Sequence, residues 1–305
     1  MANISPYQGI IPAFCACYDD TGEISPARTQ ALARHLMVSG VNGLYVNGST
    51  GECVYLSVGE RMQVLESVME AVGGKLPVIA HVACNNTRDS VRLAAHARTM
   101  GVTAIAAIPP IYFNLPDHAV VDYWNSISDA APDTDFMIYN IPQCAGMALT
   151  VPLLKEMLKN PRVKALKNSS ESVQDIRAFK DAGGDKLMLL NGPDEQYVAG
   201  RMMGADGGSG STYNIMPQLF LYAERCLQDG RVEDARRVQQ DIYGIIKVMT
   251  SGHGHLIAFV KELLRRKGVY TGTVRAPLPN LSPEDKKLVD QCAALIAAAE
   301  KRVQA

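Results

Sequence analysis

The 305-residue chain predicts an α/β fold, a (β/α)8 TIM barrel with a C-terminal helical extension. Three observations carry this reading. Short β-branched or apolar runs recur every few tens of residues, near Gly9, Gly43, Pro77, Thr103, Asp135, Val163, Lys186 and Ala205, and a helical pattern follows each. Glycines fall just after the apolar helical stretches, where a left-handed residue turns the chain into the next strand. No dinucleotide fingerprint opens any of the helices, which favours a barrel over the open doubly wound sheet that the same periodicity allows.

Taken in order, the first run carries Cys15 and Cys17 at alternating positions, read as small buried hydrophobes on an early strand. Ser25-Pro26 puts proline at the first position of a helix, and Gly40 closes it. After the second strand comes the turn Gly48-Ser49-Thr50-Gly51-Glu52, then Ser57-Val58-Gly59-Glu60, a capping box for the helix that Gly73 ends. Gly101, Gly183 and Gly204 close later helices in the same way. The run Asp135 to Asn140 ends its strand on Tyr139, and Val163 to Lys167 closes a strand before the polar turn Asn168-Ser169-Ser170. Beyond Tyr213-Asn214 the β signal stops. Helical stretches then cover Val232 to Met249, Leu256 to Arg266 and Pro283 to Lys301, with a Gly- and Pro-rich loop from Gly268 to Leu281. The expected division is therefore a barrel over 1–228 and a three-helix extension over 229–305. The alanine-rich stretch 293–299 should pack on a neighbour rather than bind a ligand.

Composition narrows the function. A hydrophobic fraction of 47% supports a large core, while a net charge of -1 offers no basic field for nucleic acid. No segment is long and apolar enough to span a bilayer, so the expected partner is a small molecule. The start Met1 to Pro6 lacks a basic, apolar leader, and the 7 cysteines contain no Cys-x-x-Cys pair. Both point to a cytoplasmic protein without a disulfide framework or zinc ribbon. His253 and His255, the close-spaced histidines, are read as a helix start rather than a metal site, so no metal and no cofactor are expected.

Chemistry is suggested where strands end, because in a barrel those residues converge on one mouth. A lysine partly desolvated at a strand end, as Lys167 would be, loses its proton more easily, and a neutral amine can attack a carbonyl carbon. Such a lysine is otherwise a solvated charge that snorkels to water. Tyr139 could transfer a proton or simply pack its ring, and Gly48 to Gly51 could hold a carboxylate with backbone N–H groups and two hydroxyls or form an ordinary βα turn.

Gly48-Ser49-Thr50-Gly51-Glu52, Tyr139-Asn140-Ile141-Pro142 and Ala165-Leu166-Lys167, in that order and spacing, resemble the pyruvate-dependent class I aldolases of the dihydrodipicolinate synthase / N-acetylneuraminate lyase family. Asn191 to Glu195 and Gly204 to Asn214 most resemble the sialic acid-cleaving branch. The synthase branch typically carries an arginine where this chain has Gln143-Cys144-Ala145. The resemblance implies that Lys167 forms a Schiff base with a 2-oxo acid, that Tyr139 moves the substrate's hydroxyl proton, and that Ser49 and Thr50 hold the pyruvyl carboxylate. It implies that Tyr112 reaches in from a neighbouring subunit of a homotetramer, joining Ser49 in a proton relay to Tyr139. Asp194, Glu195 and Ser211 fall at positions that bind the polyhydroxy tail, with Ser169, Gly192 and Gly210 also at substrate positions. Ser169 stands where threonine is common, and Pro193 where an aromatic residue often precedes the acidic pair. The expected reaction is cleavage of N-acetylneuraminate to N-acetylmannosamine and pyruvate. Its rivals are another 2-oxo acid aldolase, the synthase that condenses pyruvate with aspartate semialdehyde, and a non-catalytic binding barrel.

Overall fold

Capping chemistry marks where the first two helices begin. In the computed structural model, which describes residues 6–304, the Ser25 hydroxyl accepts from the Arg28 N–H with Pro26 at the first helical position of α1 (Pro26–Val38). Ser57 and Glu60 exchange side-chain and backbone bonds in a reciprocal box at the start of α2 (Val58–Val72). The remaining α-helices among the described residues are α3 (Thr87–Thr99), α4 (Asp117–Asp129), α5 (Pro142–Ala145), α6 (Val151–Met157), α7 (Val173–Gly183), α8 (Tyr197–Met202), α9 (Pro217–Gln228), α10 (Val232–Thr250), α11 (Leu256–Arg266) and α12 (Lys286–Gln304). The stretch Met1 to Ser5, part of the leader reading, lies outside the described residues.

Eight strands alternate with the first helices: β1 (Gly9–Ile10), β2 (Leu44–Val46), β3 (Val78–His81), β4 (Ala104–Ala107), β5 (Asp135–Asn140), β6 (Val163–Asn168), β7 (Met188–Asn191) and β8 (Gly207–Gly208). All pair in parallel in the order β1-β8-β7-β6-β5-β4-β3-β2. Just past β1, Ala13 bridges Tyr45 of β2 in parallel, with the Tyr45 N–H donating to the Pro12 carbonyl (2.9 Å) and the Phe14 N–H to the Tyr45 carbonyl (2.8 Å). The result is a TIM-barrel-like α/β fold with C-terminal helices. Strand residues alternate between two cores. Tyr45, Ile79, Ala104, Ala106, Met137, Tyr139, Ala165 and Leu190 form a small inner cluster, while Leu44, Ile105, Phe136, Ile138 and Leu166 pack in the larger layer with the helices.

Several expectations change in detail. Cys15 and Cys17 are buried as expected but lie beyond β1, outside any ladder, because pairing there stops at the Ala13 bridge. Gly40, Gly101 and Gly204 are left-handed, whereas at Gly73 and Gly183 the left-handed residue is the following glycine, Gly74 or Gly184. At both places the first glycine is needed for closeness. A Cβ on Gly73 would lie 2.5 Å from the Met69 carbonyl oxygen, and one on Gly183 2.5 Å from the Leu187 side chain. Asn168, expected in a turn, pairs with Asn140 and Asn191 and extends β6 by one residue past Lys167.

The three helical stretches of the C-terminal region fall where expected. α10 packs on α9 and α12, and Cys292, Ile296 and Ala299 form the buried face of α12, so the alanine-rich stretch does pack on a neighbour. No helix among the described residues is long and apolar enough to cross a membrane.

Candidate active site

The register of β5 on β6 sets Tyr139 beside Lys167. Both side chains stand at the strand ends and line a cavity of about 500 Å³. Lys167 is only 3% exposed, and its Nζ rests 4.2 Å from the centre of the Tyr45 ring and 4.7 Å from that of Tyr139. Ring faces favour a cation far less than water does. Burial therefore brings the ammonium down from 10.5 to about 7, against the opposing pull of the Asp194 carboxylate. Near neutral pH this amine is substantially unprotonated and nucleophilic.

Beneath the lysine is an aromatic floor that no motif announces. Tyr139 meets Tyr45 edge-on at 5.5 Å and His81 at 5.9 Å. His81 Nδ1 lies 2.9 Å from the Asn47 carbonyl oxygen, and its Nε2 accepts from the Ile108 N–H at 3.4 Å. Burial first, then the neighbouring Arg61 guanidinium, push the His81 ring down to about 3, so it is neutral. Burial pushes the Tyr139 phenol up to about 12, and hydrogen bonds with Ser49 and Ser169 oppose this. Those hydroxyls are therefore the neighbours that favour the ionised phenol.

The turn after β2 is tight because its neighbours demand it. A Cβ on Gly48 would lie 2.7 Å from the Tyr45 ring, and one on Gly51 3.2 Å from the Phe14 carbonyl oxygen. Asn47 and Glu52, on either side, both hold positive φ, 61° and 54°. Ser49 opens into the cavity, and the Thr50 hydroxyl lies 2.6 Å from that of Ser211, which joins this turn to the loop after β8.

The acidic pair splits. Asp194 is buried, with Oδ2 accepting from the Thr212 N–H (2.8 Å) and hydroxyl (2.6 Å), while Oδ1 is buried without a partner. Burial raises its carboxyl to about 7, despite the Thr212 bonds. Glu195 is exposed on the rim. The glycines explain the spacing: a Cβ on Gly210 would fall 1.4 Å from Asp194 Oδ1, and one on Gly192 1.9 Å from Ser169 Oγ.

Lys167, Tyr139, Ser49, Thr50, Ser169, Gly192, Asp194, Glu195, Gly210 and Ser211 thus surround one cavity. Tyr112 does not. It is 89% exposed, stacks edge-on against Phe113 at 5.0 Å, and lines a separate cavity, so one chain alone does not assemble the Ser49–Tyr112 relay. Sequence reasoning missed Tyr45 and His81, and also Ile246 and Leu256, through which the C-terminal helices reach the cavity wall. Among the described residues no group of three or more His, Cys, Asp or Glu is arranged to hold a metal. His255 caps α11, its Nδ1 accepting from the Ile257 N–H, as its reading as a helix start required.

Comparison with known proteins places this arrangement. The sequence model of the "Dihydrodipicolinate synthetase family" matches residues 6–296. An N-acetylneuraminate lyase of Mediterraneibacter gnavus is 53% identical over 303 residues, 99% of this chain and 96% of its own. An N-acetylneuraminate lyase of Escherichia coli is 35% identical over 79% of this chain and 81% of its own. The solved structure of wild-type Ruminococcus gnavus sialic acid aldolase superposes with a TM-score of 0.97 at 53% identity, covering 98% of this chain and 100% of that one. With a match that runs from the first strand into the last helix, the chain belongs to the dihydrodipicolinate synthetase family.

Proposed function

We propose that this chain is a Schiff-base aldolase, a carbon–carbon lyase that cleaves N-acetylneuraminate to N-acetylmannosamine and pyruvate. The observation that carries the reading is Lys167, a buried lysine with a proton affinity near neutral, beside a tyrosine in a cavity of sugar-acid size. High identity to N-acetylneuraminate lyases over nearly the whole chain supports the substrate.

The neutral Lys167 amine attacks the C2 ketone, and loss of water gives an iminium. The Tyr139 phenol gives its proton to the hydroxyl that departs as water, and the phenolate so formed beside the iminium takes the proton of the C4 hydroxyl as the C3–C4 electron pair flows into the iminium. The aldehyde leaves, and the enamine of pyruvate is protonated at C3 and hydrolysed from the lysine. Because the iminium is the electron sink, the reaction needs no cofactor. Ser49 and Thr50 hold the carboxylate with the backbone of their turn. Asp194, Glu195 and Ser211 accept from the tail hydroxyls, and Ser169, Gly192 and Gly210 shape the adjoining wall. Tyr112 enters from a partner subunit of a homotetramer, for which the neighbouring exposure of Tyr112 and Phe113 is the support. The same reading takes residues 1–228 as a (β/α)8 barrel closed between β1 and β2 through the Ala13–Tyr45 bridge, and 229–305 as its helical extension. Cytoplasmic residence fits seven free cysteines, five of them buried.

Incubation with pyruvate followed by borohydride should leave a reduced adduct on Lys167, found by intact mass and peptide mapping, and N-acetylneuraminate should release pyruvate. Lys167→Ala should do neither. Label on a different lysine would overturn the mechanism, and an adduct without turnover of N-acetylneuraminate would overturn the substrate.

A further inference from the structure

The C-terminal helices reach the two site turns with side chains that do not line the cavity. Lys261 of α11 is 2% exposed, and its Nζ lies 2.6 Å from Oε1 of Glu52, which is 1% exposed. Both members are fully engaged. Glu52 Oε2 accepts from the Arg275 N–H (2.7 Å) and the Tyr18 hydroxyl (3.3 Å), while Lys261 also donates to the Thr273 carbonyl (2.8 Å) and lies 4.3 Å from the Tyr18 ring centre. Glu52 closes the turn that carries Ser49 and Thr50, donating its own N–H to the Ser49 carbonyl (2.9 Å). It does so at φ 54°, ψ 31°, a conformation that a non-glycine residue keeps only where its surroundings over-determine it. The carboxylate held by Lys261 supplies that constraint.

Gln239 of α10 makes the matching contact on the far side of the cavity. Its Nε2 donates to the carbonyls of Asp194 (3.1 Å) and Glu195 (3.0 Å), and its Oε1 accepts from the Val198 N–H (2.8 Å). One side chain thereby ties down the short helical turn 194–196 and the start of α8.

We propose that the C-terminal helices form a positioning frame with two separable holds, Lys261 acting through Glu52 on the turn that binds the pyruvyl carboxylate and Gln239 on the turn that presents Asp194 and Glu195 to the aldehyde portion. The proposal rests on the aldolase reading. If the contacts served only to glue the helices to the barrel, their loss would lower the melting temperature and leave both ends of substrate recognition alike. As positioning residues they separate the two ends, because sub-ångström displacement of one turn weakens only the groups it carries.

Three measurements on the full chain decide the matter: the pyruvate concentration giving half-maximal borohydride trapping, kcat and KM for N-acetylneuraminate, and the melting curve. The double variant Glu52→Gln with Lys261→Met removes both charges without stranding either in the core. It should raise the half-saturating pyruvate concentration by about tenfold or more while still labelling Lys167 at saturation. Gln239→Leu should leave pyruvate half-saturation within about twofold and raise KM for N-acetylneuraminate by about tenfold. Should the double variant not fold, Glu52→Asp, which keeps the charge but shortens the reach, should show the same pyruvate effect. Variants with lowered melting but unaltered trapping and KM, or with the two effects exchanged, overturn the proposal. Failure of the wild-type chain to trap pyruvate would strike the aldolase reading instead.

Discussion

Lys167 burdens the fold through the same desolvation that suits it to the chemistry. Its ammonium titrates at about 7 in the folded chain against 10.5 in an open one. Above pH 10.5 the amine is neutral in both states and the burial of charge costs nothing. Between 10.5 and 7 the unfolded chain takes up a proton that the folded chain refuses, so stability falls as pH falls, and below 7 the penalty is complete. At about 1.4 kcal/mol per tenfold change in proton affinity, the full penalty amounts to a few kcal/mol. Lys167→Met should therefore be more stable than the wild type at pH 6, by up to a few kcal/mol, and the advantage should shrink as pH rises towards 10. Urea midpoints at the two values test this; an advantage that does not change with pH would mean that the lysine is not desolvated. Lys167 and Tyr139 were legible in the sequence because a polar residue ending an apolar strand is conspicuous. Tyr45 and His81 were not, since within the strand pattern they read as ordinary core. Nor could the pair Asp194-Glu195 be divided in advance. A turn of three residues turns one carboxylate inward and the next to solvent, and no periodicity reports which.

Among the elements, the longer strands were legible and the closing ones barely so. β3 to β7 each run four residues or more and, apart from their ends and the exposed Lys164 of β6, are apolar throughout, which is what strands buried on both faces look like. β1 and β8 are two residues each, and what makes them strands is the approach of their backbones. A Cβ on Gly207 would lie 2.3 Å from the Gly9 carbonyl oxygen and 2.6 Å from its nitrogen, so glycine here is a condition of the ladder, a requirement invisible without the partner strand. Gly207→Ala presses on backbone that cannot swing aside, and should cost about 3 kcal/mol. Gly230→Ala, at φ 73° with nothing within 4 Å of the added methyl, should cost about 1 kcal/mol, for the conformation alone. Chemical denaturation of the two variants gives the comparison; equal losses would mean that β1 and β8 part without strain.

At the scale of the molecule, the sequence marked the C-terminal helices as an appendage, because helical periodicity shows that a segment is helical but not what it touches. Through Ile246, Leu256, Lys261 and Gln239 they instead take part in walling and bracing the cavity. The remaining unplaced part is Tyr112. An aromatic residue 89% exposed at φ 86°, next to a Phe113 that is 72% exposed, is strained and poorly covered within a single chain, and both features are accounted for if a second copy receives it. The active species should then be at least a dimer, with no active monomer in sedimentation. Tyr112→Phe should lose at least about tenfold in turnover, by removing the relay hydroxyl, while its own Lys167 still traps pyruvate. Lys167→Ala should be inactive for the opposite reason. When the two are mixed under subunit exchange, each mixed pair contains one site with an intact lysine and an intact visiting tyrosine. Random exchange at equal amounts makes half of the pairs mixed, so recovery should approach about a quarter of wild-type activity. Native mass spectrometry establishes the exchange; no recovery once mixed assemblies are seen would confine Tyr112 to its own chain and leave Ser49 and Ser169 as the only help that Tyr139 receives.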